Sequence, residues 1–272
     1  MLKWRLISAA IMVPLVVYGV LRLSTPAFAA ILGAILVAAI WEWTRLVPLS
    51  GYPARILYSA AILCLLALTW LLGPSWLVVY VLAAAGAWWL FALYWLTHPQ
   101  HCATVSVPCS ALKLLAGALV SVPPWTALVV LHARGADGPL LTLLLLVMVW
   151  LADSGAYFAG RRFGRHKLAP QISPGKTREG VYGGLLASLL FAGIAGWLYS
   201  HSPSWTLSFV LVALPAMLFS VVGDLVESLM KRQSGIKDSG SIIPGHGGIF
   251  DRIDSLVAAA PVFLAGFLWL KL

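Results

Sequence analysis

The sequence predicts an all-α, polytopic membrane bundle of about nine spanning helices. Three observations predict it: 61% of the 272 residues are hydrophobic with a mean hydropathy of +0.94, only 10% are charged, and the apolar residues fall into runs of about span length. A soluble domain carries about 25% charged residues and needs them to cover its surface. A helix needs about twenty apolar residues to cross the hydrocarbon core. Thirteen Trp and eight Tyr suit a chain with two membrane–water interfaces to anchor.

Nine segments meet the requirement, at roughly 6–22, 27–47, 55–73, 75–96, 110–132, 138–160, 180–200, 205–225 and 255–271. The first follows Lys3 and Arg5 as a signal peptide would, but no small-residue cleavage site follows it, so it reads as a retained span. Turn residues separate the others, as in Ser24-Thr25-Pro26, Pro48 to Gly51, Gly73-Pro74-Ser75 and Ser202-Pro203-Ser204. No repeat or linker divides the chain. It reads as one integral domain over 1–272, with scaffold spans to about 135 and a polar, catalytic region over about 150–255.

Charge orients the spans. With the N-terminus cytoplasmic, Lys3, Arg5, Arg45, Arg55, Lys113, Arg161, Arg162, Arg165, Lys167, Lys176, Arg178, Lys231, Arg232, Lys237 and Arg252 fall on the cytoplasmic side. Only Arg22, Arg134 and Lys271 fall on the other. This positive-inside bias accounts for the net charge of +9 without a nucleic-acid partner. It puts the polar loops near 161–179 and 226–254 on one cytoplasmic face of the cytoplasmic (inner) membrane. Cys64 reads as a small buried hydrophobe, and Cys102 and Cys109 carry no metal-ligand spacing. No bridge is expected between those two, since pairing them would take an oxidising compartment.

Seven of the nine acids lie in the last 120 residues: Asp153, Glu179, Asp224, Glu227, Asp238, Asp251 and Asp254. Asp153 sits in the sixth span, where a carboxylate is costly unless it faces a polar cavity or an ion; an interfacial acid reaching water is the plainer reading. Gly155 and Gly160 allow close helix packing around it. Ser173 to Thr177, followed by Glu179, offers hydroxyls, Lys176 and backbone N–H groups at a helix start, a setting that favours anions. It lacks the spacing of a P-loop, and the nearby Arg161, Arg162 and Arg165 also serve simply to set topology. Asp224 and Glu227, three apart, share one helix face and suit Mg²⁺. An ordinary salt bridge from Glu227 to Lys231 competes. Asp251 and Asp254 open the last span, where capping alone would explain them. His246 lies in the Pro244–Gly248 turn as a phosphate contact, an acid–base group or a structural hydrogen bond. Carboxylates for a divalent metal and cations for phosphates on one membrane face suit phosphoryl or nucleotidyl transfer to a lipid.

Residues 228–254 resemble the signature of the phosphatidate cytidylyltransferases, or CDP-diacylglycerol synthases. The matching positions are Ser228, Lys231-Arg232, Lys237-Asp238, Pro244, His246-Gly247-Gly248, Asp251-Arg252 and Asp254. Asp153 to Tyr157 and Ile172 to Gly180 are similar to the same family. The resemblance implies transfer of a cytidylyl group from CTP to phosphatidic acid, in a homodimeric helical membrane protein. It implies catalytic roles for Lys231, Arg232, Lys237, Asp238, His246, Asp251 and Arg252. Phosphate binding would fall to Ser173, Lys176, Thr177, Glu179, Lys231 and Arg252. Mg²⁺, assisted by K⁺, would be held among Asp224, Asp251, Asp254 and Asp153. A CDP-alcohol phosphatidyltransferase is the nearest rival enzyme, but its carboxylate motif is absent. A cation transporter using Asp153 and Asp224 is the rival from another class, and the basic residues beside those acids oppose it.

Overall fold

The computed structural model describes residues 2–49, 51–240 and 247–272. Helices α1 (Leu2–Arg22), α2 (Thr25–Trp43), α3 (Gly51–Leu71) and α4 (Pro74–Thr97) occupy the first four expected spans. The fifth span is two helices, α5 (Val107–Leu119) and α6 (Val122–His132). Pro123 and Pro124 cause the break, since each lacks an N–H and clashes with the carbonyl four residues before it. Ser121 repairs the join by donating its hydroxyl to the Gly117 carbonyl at 2.7 Å. Then come α7 (Gly138–Phe163), a hairpin of β1 (Lys167–Ala169) and β2 (Ser173–Thr177), α8 (Arg178–Ser200), α9 (Pro203–Gln233) and α10 (Asp254–Trp269). The hairpin is antiparallel, with Lys167 opposite Thr177 and Ala169 opposite Ser173.

Among the described residues, seven helical stretches are long and apolar enough to cross a membrane, with α5 and α6 together forming one of them. The apolar stretch Ala10–Arg22 of α1 and the shorter helix α10 occupy the first and ninth expected spans. Long-range hydrogen bonds sort the connections into two ends. At one end Ser234 donates to the Leu46 carbonyl, Arg45 to that of Ser239, Gln233 to those of Pro99 and His101, and Arg232 to that of Ile172. At the other, His132 meets Thr25 and the Val20 carbonyl, Tyr199 donates to Asp137, and Arg134 donates to the Leu272 carbonyl. This is the alternation that nine spans require.

Three expectations need correcting. Cys64 is exposed, because α3 buries only a narrow stripe at Ser59, Ile62, Leu66 and Thr69. The eighth helix does not stop near residue 225 but runs 31 residues to Gln233. No Gly or Pro intervenes before Gly235, and Leu225, Val226, Leu229 and Met230 keep the inner face buried. Cys102 and Cys109, expected to stay unpaired, form a disulfide in the connection from α4 to α5, at the end of the bundle where Gln233 bonds the Pro99 and His101 carbonyls.

The C-terminal helices pack most closely. A Cβ on Gly155 would lie 2.9 Å from the Gly183 carbonyl oxygen, and one on Gly180 would lie 2.9 Å from that of Ala156. Only small residues let α7 and α8 approach this far. Trp43, Trp89 and Trp95 are buried in the core nearer the N-terminal helices. Phe209, Phe263 and Phe267 fill the core where α9 and α10 meet.

Candidate active site

Where α7, β2, α8, α9 and the start of α10 converge, they enclose a polar cavity of about 690 Å³. The extra turns of α9 explain its floor. Asp224, Glu227 and Lys231 recur at three and four residues, so one unbroken helix presents all three to the cavity. Asp254 enters from the first turn of α10, where an acid favours the helix dipole. Asp153 enters from α7 and accepts the Ser255 hydroxyl at 3.2 Å.

Asp224, Glu227 and Asp254 each offer a carboxylate oxygen, and these oxygens lie within 4.8 Å of one another. Three such groups repel unless protons or cations intervene. Lys176 of β2 forms an ion pair with Asp224. Lys231 lies 2.9 Å from Glu227 Oε2 and 2.6 Å from Asp251 Oδ1. Six acids (Asp153, Asp224, Glu227, Asp238, Asp251 and Asp254) therefore line the cavity with four bases, Arg161, Lys176, Lys231 and Arg252. Among the described residues, Glu227 Oε1 is buried without a hydrogen-bond partner. An orphaned carboxylate oxygen in a cluster of hard oxygen donors fits a divalent cation.

Asp251 stands beside that cluster, joined to Glu227 through Lys231, and turns its other oxygen to a second set of donors. Its Oδ2 accepts the Ser239 N–H at 3.1 Å, the Ser239 hydroxyl at 3.0 Å and the Gly248 N–H at 2.8 Å. Gly247, at φ +82°, supplies the left-handed turn that aims this segment. Burial pushes the Asp251 carboxyl up, but hydrogen bonds with the Glu227 and Lys231 side chains and the Gly248 N–H outweigh it and bring it to about 2.

Of the residues singled out from the sequence, Asp153, Ser173, Lys176, Thr177, Asp224, Lys231, Asp238, Asp251, Arg252 and Asp254 line this one cavity. Thr177 also caps α8 by accepting the Gly180 N–H at 3.2 Å. Glu179, Arg232 and Lys237 do not line it. Glu179 turns back to the preceding loop, accepting the Arg165 and His166 N–H groups at 3.1 and 3.2 Å and meeting His166 Nδ1 at 2.6 Å. Arg232 donates its Nε–H to the Ile172 carbonyl at 3.2 Å and so ties the hairpin to α9. Lys237 is exposed. Pro244 and His246 lie outside the described residues.

Sequence reasoning missed Glu42. This acid of α2 is 1% exposed, and its Oε2 accepts the Phe250 N–H at 2.9 Å. The Ser239 hydroxyl lies 3.3 Å from the same oxygen. Glu42 thus braces, from the N-terminal half of the chain, both segments that hold Asp251. The rule that marks Asp153, a carboxylate within an apolar span, marks Glu42 between Trp41 and Trp43 equally well.

Comparison with known proteins gives a consistent picture. The sequence profile of the Cytidylyltransferase family matches residues 3–269. A protein named phosphatidate cytidylyltransferase from Pseudomonas aeruginosa is 42% identical over 271 residues, spanning 99% of this chain and 97% of that protein. One of the same name from Haemophilus influenzae is 36% identical over 287 residues, spanning 97% of each. One from Bacillus subtilis is 47% identical over 115 residues, 42% of each.

Proposed function

The chain belongs to the Cytidylyltransferase family, and on that premise we propose that it transfers a cytidylyl group from CTP to phosphatidate, giving CDP-diacylglycerol and pyrophosphate. The observation that carries this reading is one cavity that holds the Asp224–Glu227–Asp254 trio beside Lys176, Lys231 and Arg252.

A phosphate monoester has its second pKa near about 6, so the lipid phosphate is already an anion at neutral pH and needs no strong base. Its oxygen attacks the α-phosphorus of CTP in line. The new P–O bond forms as the bond from the α-phosphorus to the bridging oxygen breaks, and pyrophosphate carries off that electron pair. Lys176 and Arg252 face the triphosphate and draw off charge. Lys231, locked between Glu227 and Asp251, presents its ammonium at a fixed place, so little reorganisation is needed during the reaction.

The cation we propose is Mg²⁺, held by Asp224, Glu227 and Asp254 with Asp153 beside them; K⁺ accompanies it on the strength of the family resemblance. When bound, Mg²⁺ would neutralise phosphate charge and orient the leaving group. The cavity end of the bundle faces the cytoplasm of an inner membrane, a reading supported by the 15 basic residues assigned to that side. The chain works as a homodimer in this proposal. Cation transport is disfavoured by Lys176 and Lys231, which pair with the acids a permeating ion would need.

The test is direct. Purified protein with Mg²⁺, CTP and phosphatidate should release CDP-diacylglycerol and pyrophosphate in equal amounts. A folded sample that forms neither, or that accepts diacylglycerol as readily as phosphatidate, would refute the assignment.

A further inference from the structure

A second cavity, an apolar groove of about 830 Å³, lies between α2, α3 and α6. Gly33, Ala34 and Ala38 hollow its α2 wall, while Leu63 and Leu66 of α3 and Trp125 of α6 back it. It runs along α2 from Pro26 to Trp41, about 22 Å at the helical rise. One polar side chain of α3, Ser59, lines it, and a second, Arg55, stands over the lining residue Trp41; both lie toward the end that carries the polar cavity. Ser59 is 8% exposed, and its hydroxyl has no hydrogen-bond partner among the described residues. A helical serine often returns its hydroxyl to the carbonyl four residues back; this one does not. Arg55, four residues earlier, is on the same helix face. Its guanidinium lies 4.3 Å from the centroid of Trp41, which forms the rim of the groove. It donates to Thr44 Oγ1 at 2.7 Å and to the Trp41 carbonyl at 3.1 Å. Among the described residues these bonds use two of its five N–H donors.

We propose that this groove is a phospholipid site separate from the catalytic cavity. It holds one acyl chain of a bilayer glycerophospholipid, with the ester at Ser59 and the phosphate at Arg55. The order of the groups carries the inference. A cation stands at the rim, a hydroxyl without a partner lies one helical turn deeper, and an apolar slot follows. A glycerophospholipid presents phosphate, ester and hydrocarbon in that same order. A helix from a second copy would bring apolar side chains along the whole slot and leave the Ser59 hydroxyl unsatisfied, whereas an ester carbonyl accepts it. The inference does not depend on the transferase reading, and its test needs no CTP.

The test uses the full chain in phosphatidylcholine vesicles containing a phosphatidylglycerol probe with a diazirine on one acyl chain. Photolysis and peptide mass spectrometry should place adducts on the groove faces of α2 and α3. Ala38→Trp, which fills the slot, should cut those adducts by about fivefold or more, with labelling of other outward faces unchanged. Arg55→Gln and Ser59→Ala, which do not fill the slot, should each lower groove labelling by about twofold or more. Adducts spread evenly over all outward faces, or groove adducts unaffected by all three substitutions, overturn the proposal. Disulfide-linked dimers formed by Ala34→Cys, with groove adducts absent, would assign the slot to a second copy and also overturn it.

Discussion

Asp251 is held by more partners than any other acid of the cavity, and this sets what its replacement should do. Asp251→Asn keeps the size of the side chain but removes the charge facing Lys231. The expected result is a loss of about 10²–10³ in kcat, the scale of losing one preorganised electrostatic group, with protein yield largely kept. A steady-state assay of CDP-diacylglycerol formation checks it. The pH dependence follows from the carboxyl's low folded value of about 2, against about 3.9 when unfolded. A depressed acid contributes stability that is fully present above the unfolded value and is lost as pH falls through the folded one. Melting curves of wild type and Asp251→Asn should therefore differ by a constant amount from about pH 5 to 8 and draw together as pH falls from about 4 to about 2.

Glu42 gives a second prediction at this scale. It touches no substrate in the proposed reaction and acts through Ser239 and the Phe250 N–H. Glu42→Ala should lower kcat by about tenfold or more and leave the KM for CTP within about twofold. Glu42→Gln, whose amide oxygen can still accept both bonds, should restore most of the rate. Equal loss in both variants would show that charge at this position matters in its own right.

At the level of elements, the contact of α7 with α8 is the most demanding. Ala159 already occupies the space that a Cβ on Gly183 would enter. Gly183→Val should cost about 1–3 kcal/mol through overpacking and should displace Asp153 relative to Lys176, since these helices carry or adjoin both. A lower melting temperature together with reduced activity is expected; an unchanged melting temperature would show that the helices can part without cost. Elements also mark where sequence reading stopped. Helix positions followed from apolar run length, so α2 to α4 were legible. The break before Val122 rested on Pro123 and Pro124, whose effect was overlooked inside an apolar run. The extension of α9 to Gln233 was missed because polar residues after Asp224 look like a loop until their inner face is seen to be apolar.

For the whole molecule, charge asymmetry and contact alternation agree on which loops share an end. A cysteine label in the 161–179 loop should be unreactive to impermeant reagent from outside intact cells, whereas one in 133–137 should react. The reverse pattern would invert the bundle. The gathering of Lys176, Asp224 and Asp254 was legible because the sequence put all three on loops or span ends of one face, and Asp153 joined them as a costly carboxylate inside the neighbouring span. The contribution of Glu42 was not, because it depends on how α2 packs against residues some two hundred positions later.

The length of α9 has a further consequence. Thirty-one residues extend about 46 Å, while the hydrocarbon layer is about 30 Å thick. Measured from Pro203, the helix leaves that layer within a turn of Asp224. With Pro203 at the far boundary of that layer, Asp224 and Glu227 would stand at the depth where phospholipid headgroups already reside. A lipid reaching them need only drift sideways within its leaflet, keeping both tails in oil. The water-soluble partner makes the vertical journey, and the energetic cost of lifting a diacyl chain into water never arises.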